Sequence, residues 1–199
     1  MTSRQSAPSK PRQATSSSAL VVKPQCKIHP TATVADKAQI VGANTVELGE
    51  NSFIHPHARI RAEFGNVTIA RGVIISETAV VGASEESTGD VVIGNGVSIE
   101  SGARVEAKSI ADHTTIEVNA KVGKGAVVGS WCKITPMCVV AEFEVLEDFT
   151  VVFGDGKRRI DTTVRDRQDV RDMKIKGRES EIELLKTLIP DSSAKWTTV

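Results

Sequence analysis

The chain has 199 residues, 40% of them hydrophobic, and its 25 basic side chains balance its 25 acidic ones. A net charge near zero argues against a nucleic-acid surface, and no apolar run approaches the ~20 residues needed to span a bilayer. With three cysteines and no apolar secretory leader, we expect a cytoplasmic protein with reduced thiols and no disulfide framework.

Residues 1–24 are rich in Ser, Thr, Pro, Gln and Lys, a composition that predicts a disordered tail. Its only large apolar side chains are those of Leu20, Val21 and Val22, which could pin the end of the tail onto the folded body.

Aliphatic residues recur every six positions from Ile28 to Val152, and these starts hold only Ile, Val or Leu. The fifth position of each regular hexad is almost always small, with Glu144 as the exception. Period six fits neither an amphipathic helix nor an alternating strand. It fits a solenoid in which each hexad forms a short strand and three hexads close a triangular coil. We therefore predict an all-β solenoid over residues 25–156, with about 6–7 coils at the usual strand spacing.

Irregular steps in the period follow Ile40, Ile60, Val81 and Val105, and each comes after three hexads. All four breaks must therefore fall at the same corner of the triangle. We expect the segments 42–47, 62–68 and 83–92 to project along one edge of the prism. Hexad solenoids resemble the known left-handed parallel β-helices, and this resemblance assigns the hand.

The repeat ends at the Gly-Asp-Gly of residues 154–156. We expect a charged connector over 157–177 and a C-terminal α-helix over 178–190 that packs on the β-helix. Its apolar residues are at helical spacing. The candidate packing residues on the helix are Ile182, Leu185, Leu188 and Ile189.

The residue before each hexad start should point outward, since strand side chains alternate. Two groups of these positions are apolar. The first is Val127, Val139, Val145 and Val151, and the second is Ile74, Val80 and Val92. We hypothesise that the helix covers part of the first group, with Val127 and Val145 in contact, and that a partner covers the second. The alternative is that these residues merely suit strands.

Two aromatic residues, Trp131 and Phe149, are further candidate partner contacts, because the chain has few aromatic side chains and Trp is enriched at interfaces. Local packing is the alternative for Trp131.

Catalytic zinc needs three converging protein ligands. His55 and His57 should lie about 14 Å, or three coils, from His113, and His29 lies on another face. One chain cannot bring them to a single metal.

Among hexad enzymes, acyltransferases use a histidine base, and His113 would be the candidate, although a corner histidine is more often a polar turn residue. Cys132 and Cys138 occupy small-residue core positions and are poor candidates for nucleophiles.

The chain also resembles the gamma-class carbonic anhydrases, whose Arg-x-Asp element matches Arg61 and Glu63. The metal histidines of that family would fall on Gly82, Ser101 and Glu106, and none of these is histidine. We therefore predict no metal, no cofactor and no catalytic residue.

Three stretches resemble the hexapeptide-repeat subunits of the dynactin pointed-end complex: residues 53–65, which contain IHPHARI, residues 143–154 and residues 184–190. This resemblance implies a non-catalytic, cytoskeleton-associated subunit that supports dynein-dependent transport. The implied partners are dynactin subunit 5 as a heterodimer, actin-related protein 11, dynactin subunit 4, and dynein adaptors or cargo. The alternative is a homotrimeric enzyme, either an acyltransferase or a relative of the gamma carbonic anhydrases.

Overall fold

A computed structural model of the chain describes residues 24–85 and 89–197, so the predicted tail lies outside the described residues except for Pro24. The strands are very short. They are β1 Cys26–Ile28, β2 Thr33–Val34, β3 Gln39–Gly42, β4 Val46–Leu48, β5 Phe53–Ile54, β6 Arg59–Ala62, β7 Val67–Ile69, β8 Ile74–Ile75, β9 Val80–Val81, β10 Val91–Ile93, β11 Ser98–Ile99, β12 Arg104–Val105, β13 Ser109–Ile110, β14 Thr115–Ile116, β15 Lys121–Val122, β16 Val127–Val128, β17 Lys133–Ile134, β18 Val139–Val140, β19 Val145–Leu146, β20 Thr150–Phe153 and β21 Lys157–Ile160. Two helices follow, α1 Thr162–Asp166 and α2 Gln168–Leu188, and then a 3₁₀ turn, Ser193–Lys195.

Every third strand joins the same sheet, which gives the prism its three faces. The first sheet is β1-β4-β7-β10-β13-β16-β19, the second is β2-β5-β8-β11-β14-β17-β20-β21, and the third is β3-β6-β9-β12-β15-β18. All neighbours are parallel except β20 and β21, which pair antiparallel. The fold is a left-handed β-helix of about 6 coils, which confirms the solenoid predicted from the hexad period and the hand assigned from the resemblance.

Aliphatic columns fill the interior because equivalent hexad starts lie directly above one another. In the second sheet Ile54 pairs with Ile75, Ile75 with Ile99 and Ile99 with Ile116. These side chains are fully buried. An aliphatic core of this kind needs no aromatic residue, and hydrophobic burial of about 2 kcal/mol per side chain stabilises each coil against the next.

The inserted segments meet at the edge between the third and first sheets. Side chains from successive coils connect them: Asn66 accepts a hydrogen bond from the Thr45 amide at 3.0 Å and donates to Asp90 at 3.1 Å. Strands β3 and β6 run on beyond the corner to Gly42 and Ala62, which pair with each other. The first two projecting loops are therefore shorter than the sequence period indicates.

The segment 157–177 is not a connector, which corrects the sequence-based expectation. Its first residues form β21, Asp161 caps α1 by accepting the Val164 amide at 3.1 Å, and α2 begins ten residues before the expected start. The physical reason is that mixed charges suit an exposed helix, where they pair with each other instead of being buried. Arg167 pairs with Asp169 at the start of α2 in this way.

Helix α2 packs on the second sheet. Ile182 is buried against Phe53 and Ile74, with Leu185 and Ile189 beside them. Arg178 donates to the Ser98 hydroxyl at 3.2 Å, and Lys186 donates to the Asn51 amide oxygen at 2.9 Å. The helix therefore runs from the last coils back to the first along one face.

The expected helix-packing surface at Val127 and Val145 is wrong. Both residues lie on the first sheet, and Val145 is 69% exposed. Leu188, expected in the packing stripe, is 67% exposed. Val127 and Val145 do share a face, but α2 lies along the second sheet, where Phe53 and Ile74 supply the apolar contact for Ile182.

The segment after α2 covers the first coil. The Asp191 carboxylate accepts the Val34 amide at 3.0 Å, and the Ser192 amide donates to the Val34 carbonyl at 2.8 Å. Trp196 packs against the end of the aliphatic core. This segment pairs with the open edge of β2, which protects that edge from other strands.

Candidate functional site

The corner between the first and second sheets carries one left-handed residue in each of six successive coils. Its members are Asn51, Gly72, Gly96, His113, Trp131 and Phe149, with φ between +54° and +68°. Their amides bond to the coil before, as when His113 donates to the Asn95 carbonyl at 2.7 Å. The chain turns sharply at this corner. The repeated turn places Trp131 and Phe149, the two candidate partner contacts from the sequence, in one column.

A cleft of about 570 Å³ lies between this corner and α2. It exists because Gly72 and Gly96 bring no side chains to the column, while Ile175 and Ile182 of the helix pass above them. Arg178 and Asp112 add charge of both signs. The charged lining is nearly balanced, so the cleft has no strong preference for anions or cations.

His113 is held as a packing residue in this cleft. Its ring stacks on Trp131 with centroids 4.4 Å apart and planes at 25°, and a side chain on Gly96 would come within 2.6 Å of its Nδ1 atom. Burial lowers its pKa, nearby Arg178 lowers it further, and Asp112 opposes both. Within the described residues, no carboxylate hydrogen bond orients this ring, because the Asp112 carboxylate accepts from Asn95 instead.

This lowered pKa predicts an acid-sensitive contribution to stability. Since the unfolded chain has the ordinary histidine value of 6.5, it takes up the proton first as the pH falls. The free energy of unfolding should therefore decrease between pH 7.5 and 5.5. His113→Asn, which tolerates the left-handed backbone, should flatten this dependence. Urea denaturation at several pH values measures it, and an unchanged slope in the variant would contradict this assignment. His55, also lowered in pKa by burial, should supply the remaining slope.

Two of the three positions that would hold zinc in a carbonic anhydrase, Gly82 and Glu106, have structural roles here. Gly82 has a φ of +132°, and a side chain there would lie 2.0 Å from the Arg61 carbonyl oxygen. Glu106 accepts a hydrogen bond from Ser84, and Arg61 pairs with Glu63 at 2.9 Å. Across residues 24–85 and 89–197, no group of three or more His, Cys, Asp and Glu side chains could hold a metal ion.

The two core cysteines are packing residues. Burial raises the pKa of the Cys132 thiol to about 11, and that thiol donates to the Glu147 carbonyl at 3.1 Å. Cys138 is also buried and its thiol contacts the Gly154 carbonyl oxygen at 3.3 Å. A thiol with a pKa this high is protonated at neutral pH and is a weak nucleophile, so Cys132 does not suit covalent catalysis. Cys138 is enclosed in the core.

The second apolar group from the sequence does not form one surface. Ile74 lies on the second sheet and is buried under Ile182, Val80 lies on the third sheet, and Val92 lies exposed on the first. Ile74 is thus unavailable to a partner, because the chain's own helix covers it. Phe149 and Trp131 are both partly exposed at the corner column.

A different apolar surface is open at the last complete coil. It comprises Met137, Val139, Phe143 and Val145, which are 75%, 52%, 64% and 69% exposed. We call these four residues the last-coil belt. They run from one corner across the third sheet to the next corner and onto the first sheet. The alternation rule marks Val139 and Val145, but Met137 and Phe143 are corner residues that it does not cover.

No protein-family model matches the chain. Several curated proteins are similar to it in sequence. The chain is 33% identical over 146 residues to dynactin subunit 6 of Xenopus tropicalis, covering 68% of this chain and 72% of that protein. It is 33% identical over 147 residues to dynactin subunit 6 of Danio rerio, covering 68% and 74%.

Among solved structures, a hexapeptide transferase family protein from Anaplasma phagocytophilum superposes with a TM-score of 0.56. The superposition covers 80% of this chain and 90% of that protein, at 21% identity. This likeness establishes the fold. In the described part of the chain, no helix is long and apolar enough to cross a membrane.

Proposed function

Because the chain belongs to the dynactin subunit 6 family, we propose that it is a non-catalytic structural subunit of the dynactin complex. The family relationship carries this proposal. Under this proposal, the protein lies at the pointed end of the actin-related filament and supports dynein-dependent cargo transport. It is then cytoplasmic and associated with the cytoskeleton. Its neighbours are dynactin subunit 5, actin-related protein 11 and dynactin subunit 4, with dynein adaptors or cargo beyond them.

The last-coil belt supports this proposal physically. Four large apolar side chains exposed along one belt are unfavourable in water and mark a protein-binding surface. The belt also adjoins the open edges of β18 and β19, which end the third and first sheets. Such edges call for a covering partner. The first coil, by contrast, already has the edge of β2 covered by the chain's own C-terminal segment.

Replacing an apolar residue of the last-coil belt with a charged one tests this role. Val145→Asp should leave folding nearly unchanged, because the side chain is mostly exposed, but should reduce recovery of dynactin subunits at least about tenfold. The tagged chain is purified from its native cells and the bound subunits are quantified by mass spectrometry. Leu184→Asp, a similarly exposed position on α2, is the matched control and should recover them normally. Equal recovery with both variants would contradict the belt's role.

The enzymatic alternative, a homotrimeric acyltransferase, has one observation in its favour, since His113 lies in a cleft and burial lowers the pKa of its imidazole. A base must also be free to reach a substrate hydroxyl or amine. The ring of His113 is stacked on Trp131, and within the described residues no carboxylate accepts from its nitrogen to orient it as a base, since Asp112 accepts from Asn95 instead.

A further inference from the structure

The hairpin strand β21 ends the second sheet with a free edge. In the described part of the chain β21 pairs with β20 alone, and all four of its residues are exposed. Arg159 pairs with Val151, and the Asp161 amide donates to the Phe149 carbonyl at 2.8 Å. Backbone groups of alternate residues point to opposite sides of a strand. The N–H and C=O groups of Arg158 and Ile160 therefore point away from β20, toward the free edge.

The two sides of β21 differ in chemistry. Lys157 and Arg159 share the outer side with Phe153 and Val151, their cross-strand partners. Within the described residues, neither cation has an ion pair or a side-chain hydrogen bond. Arg158 and Ile160 lie on the other side.

Two acidic residues near β21 are occupied by other partners, which leaves Lys157 and Arg159 available to a partner protein. The Arg158 guanidinium is paired with Glu144 at 2.7 Å, so that carboxylate is occupied. Asp161 is occupied by its cap contact with the Val164 amide. Asp155, in the turn before β21, is the one further acidic residue in the segment 154–161.

We propose that β21 accepts an extended segment of a partner protein as an added strand, with acidic and apolar residues alternating along that segment. The acidic residues would face Lys157 and Arg159, and the apolar ones would lie on the side of Ile160. Main-chain hydrogen bonds would supply the affinity and the charges would set the register, as in other cases of strand addition. Two cations on a chain of zero net charge suit a short acidic peptide better than a nucleic-acid backbone. This inference does not depend on the proposed function.

The probe is a fluorescein-labelled peptide, Glu-Val-Glu-Val-Glu-Val, titrated with the full-length chain by fluorescence anisotropy. We expect saturable binding that weakens with added salt, and none for Lys-Val-Lys-Val-Lys-Val. The double variant Lys157→Glu/Arg159→Glu should weaken binding at least about tenfold. The same peptide N-methylated at every residue should not bind, because it has no backbone donors. This control leaves the protein unaltered and so does not depend on the folding of a variant.

A protein-side control removes one donor at the edge. Ile160→Pro deletes an amide that points to the free side, where proline is tolerated, and it should abolish binding while circular dichroism stays unchanged. No binding up to about 1 mM peptide would overturn the proposal. Equal binding of the N-methylated peptide would also overturn it. So would a single-stranded RNA that binds as tightly as the acidic peptide, since that outcome would make β21 a general polyanion site.

Discussion

Replacing Ile182 with alanine should release helix α2 from the solenoid. Ile182 is 4% exposed and forms a small cluster with Phe53 and Ile74, so the substitution removes most of the apolar contact that holds the middle of the helix. Large-to-small changes of this type cost about 2–5 kcal/mol. A value of about 3 kcal/mol corresponds to a hundredfold increase in helix opening.

Native-state hydrogen exchange measures this opening residue by residue. We expect amides of α2 around Ile182 to lose about two orders of magnitude of protection, while amides of the central coils keep theirs, because each coil is stabilised by its own neighbours. Leu184→Ala is the matched control on the exposed side of the same helix, and it should change protection by less than about 0.5 kcal/mol. Similar losses for both variants would mean that α2 is not held by this cluster.

Replacing Gly42 with alanine should disrupt the edge where β3 and β6 pair. Gly42 has a φ of +120°, and an added Cβ would lie 2.2 Å from the carbonyl carbon and oxygen of Ala62. Backbone atoms cannot yield as a flexible side chain can, so the two strands must separate. We expect a loss of at least about 3 kcal/mol in the free energy of unfolding, measured by urea denaturation.

Gly154→Ala separates the steric cause from the conformational one. Gly154 also has positive φ, +53°, but nothing lies within 4 Å of the position its Cβ would take. The left-handed backbone alone costs alanine about 1–2 kcal/mol. The Gly42 variant should therefore be clearly less stable than the Gly154 variant. Equal losses would show that the close approach of Gly42 and Ala62 is not important to stability.

The coils could be predicted from the sequence because one rule, an aliphatic residue inward every six positions, governs every strand. The register follows from it: Ile54, Ile75 and Ile99 are hexad starts in successive coils and pair directly. The correlated breaks in the period also place the inserted segments along one edge. These features depend on local spacing, which a single sequence contains.

The position of α2 could not be predicted from the same spacing, because the period separates inside from outside but does not identify the covered face. Outward residues share a face only when they are one full coil apart. Aligned in this way, Phe53 and Ile74 are neighbours on the second sheet, and they are the pair that the helix buries. Val127, Val139 and Val151 lie on three different faces.

The cleft beside His113 and the free edge of β21 could not be predicted from the sequence for a related reason. His113 and Trp131 are 18 residues apart, and they stack only because each occupies the same left-handed corner position in successive coils. The charged segment from Lys157 onward shows no apolar period, so nothing in it marks an antiparallel hairpin strand. Its pairing is set by the Gly-Asp-Gly turn and by the open edge of β20 that the last coil leaves behind.

The proposal that this protein works by assembly is tested most directly by purifying the tagged wild-type chain from its native cells at low expression. The account predicts recovery of dynactin subunits in fixed stoichiometry with the chain, including the actin-related filament proteins. A stable homotrimer of the chain, free of dynactin subunits and carrying coenzyme A or zinc, would contradict it.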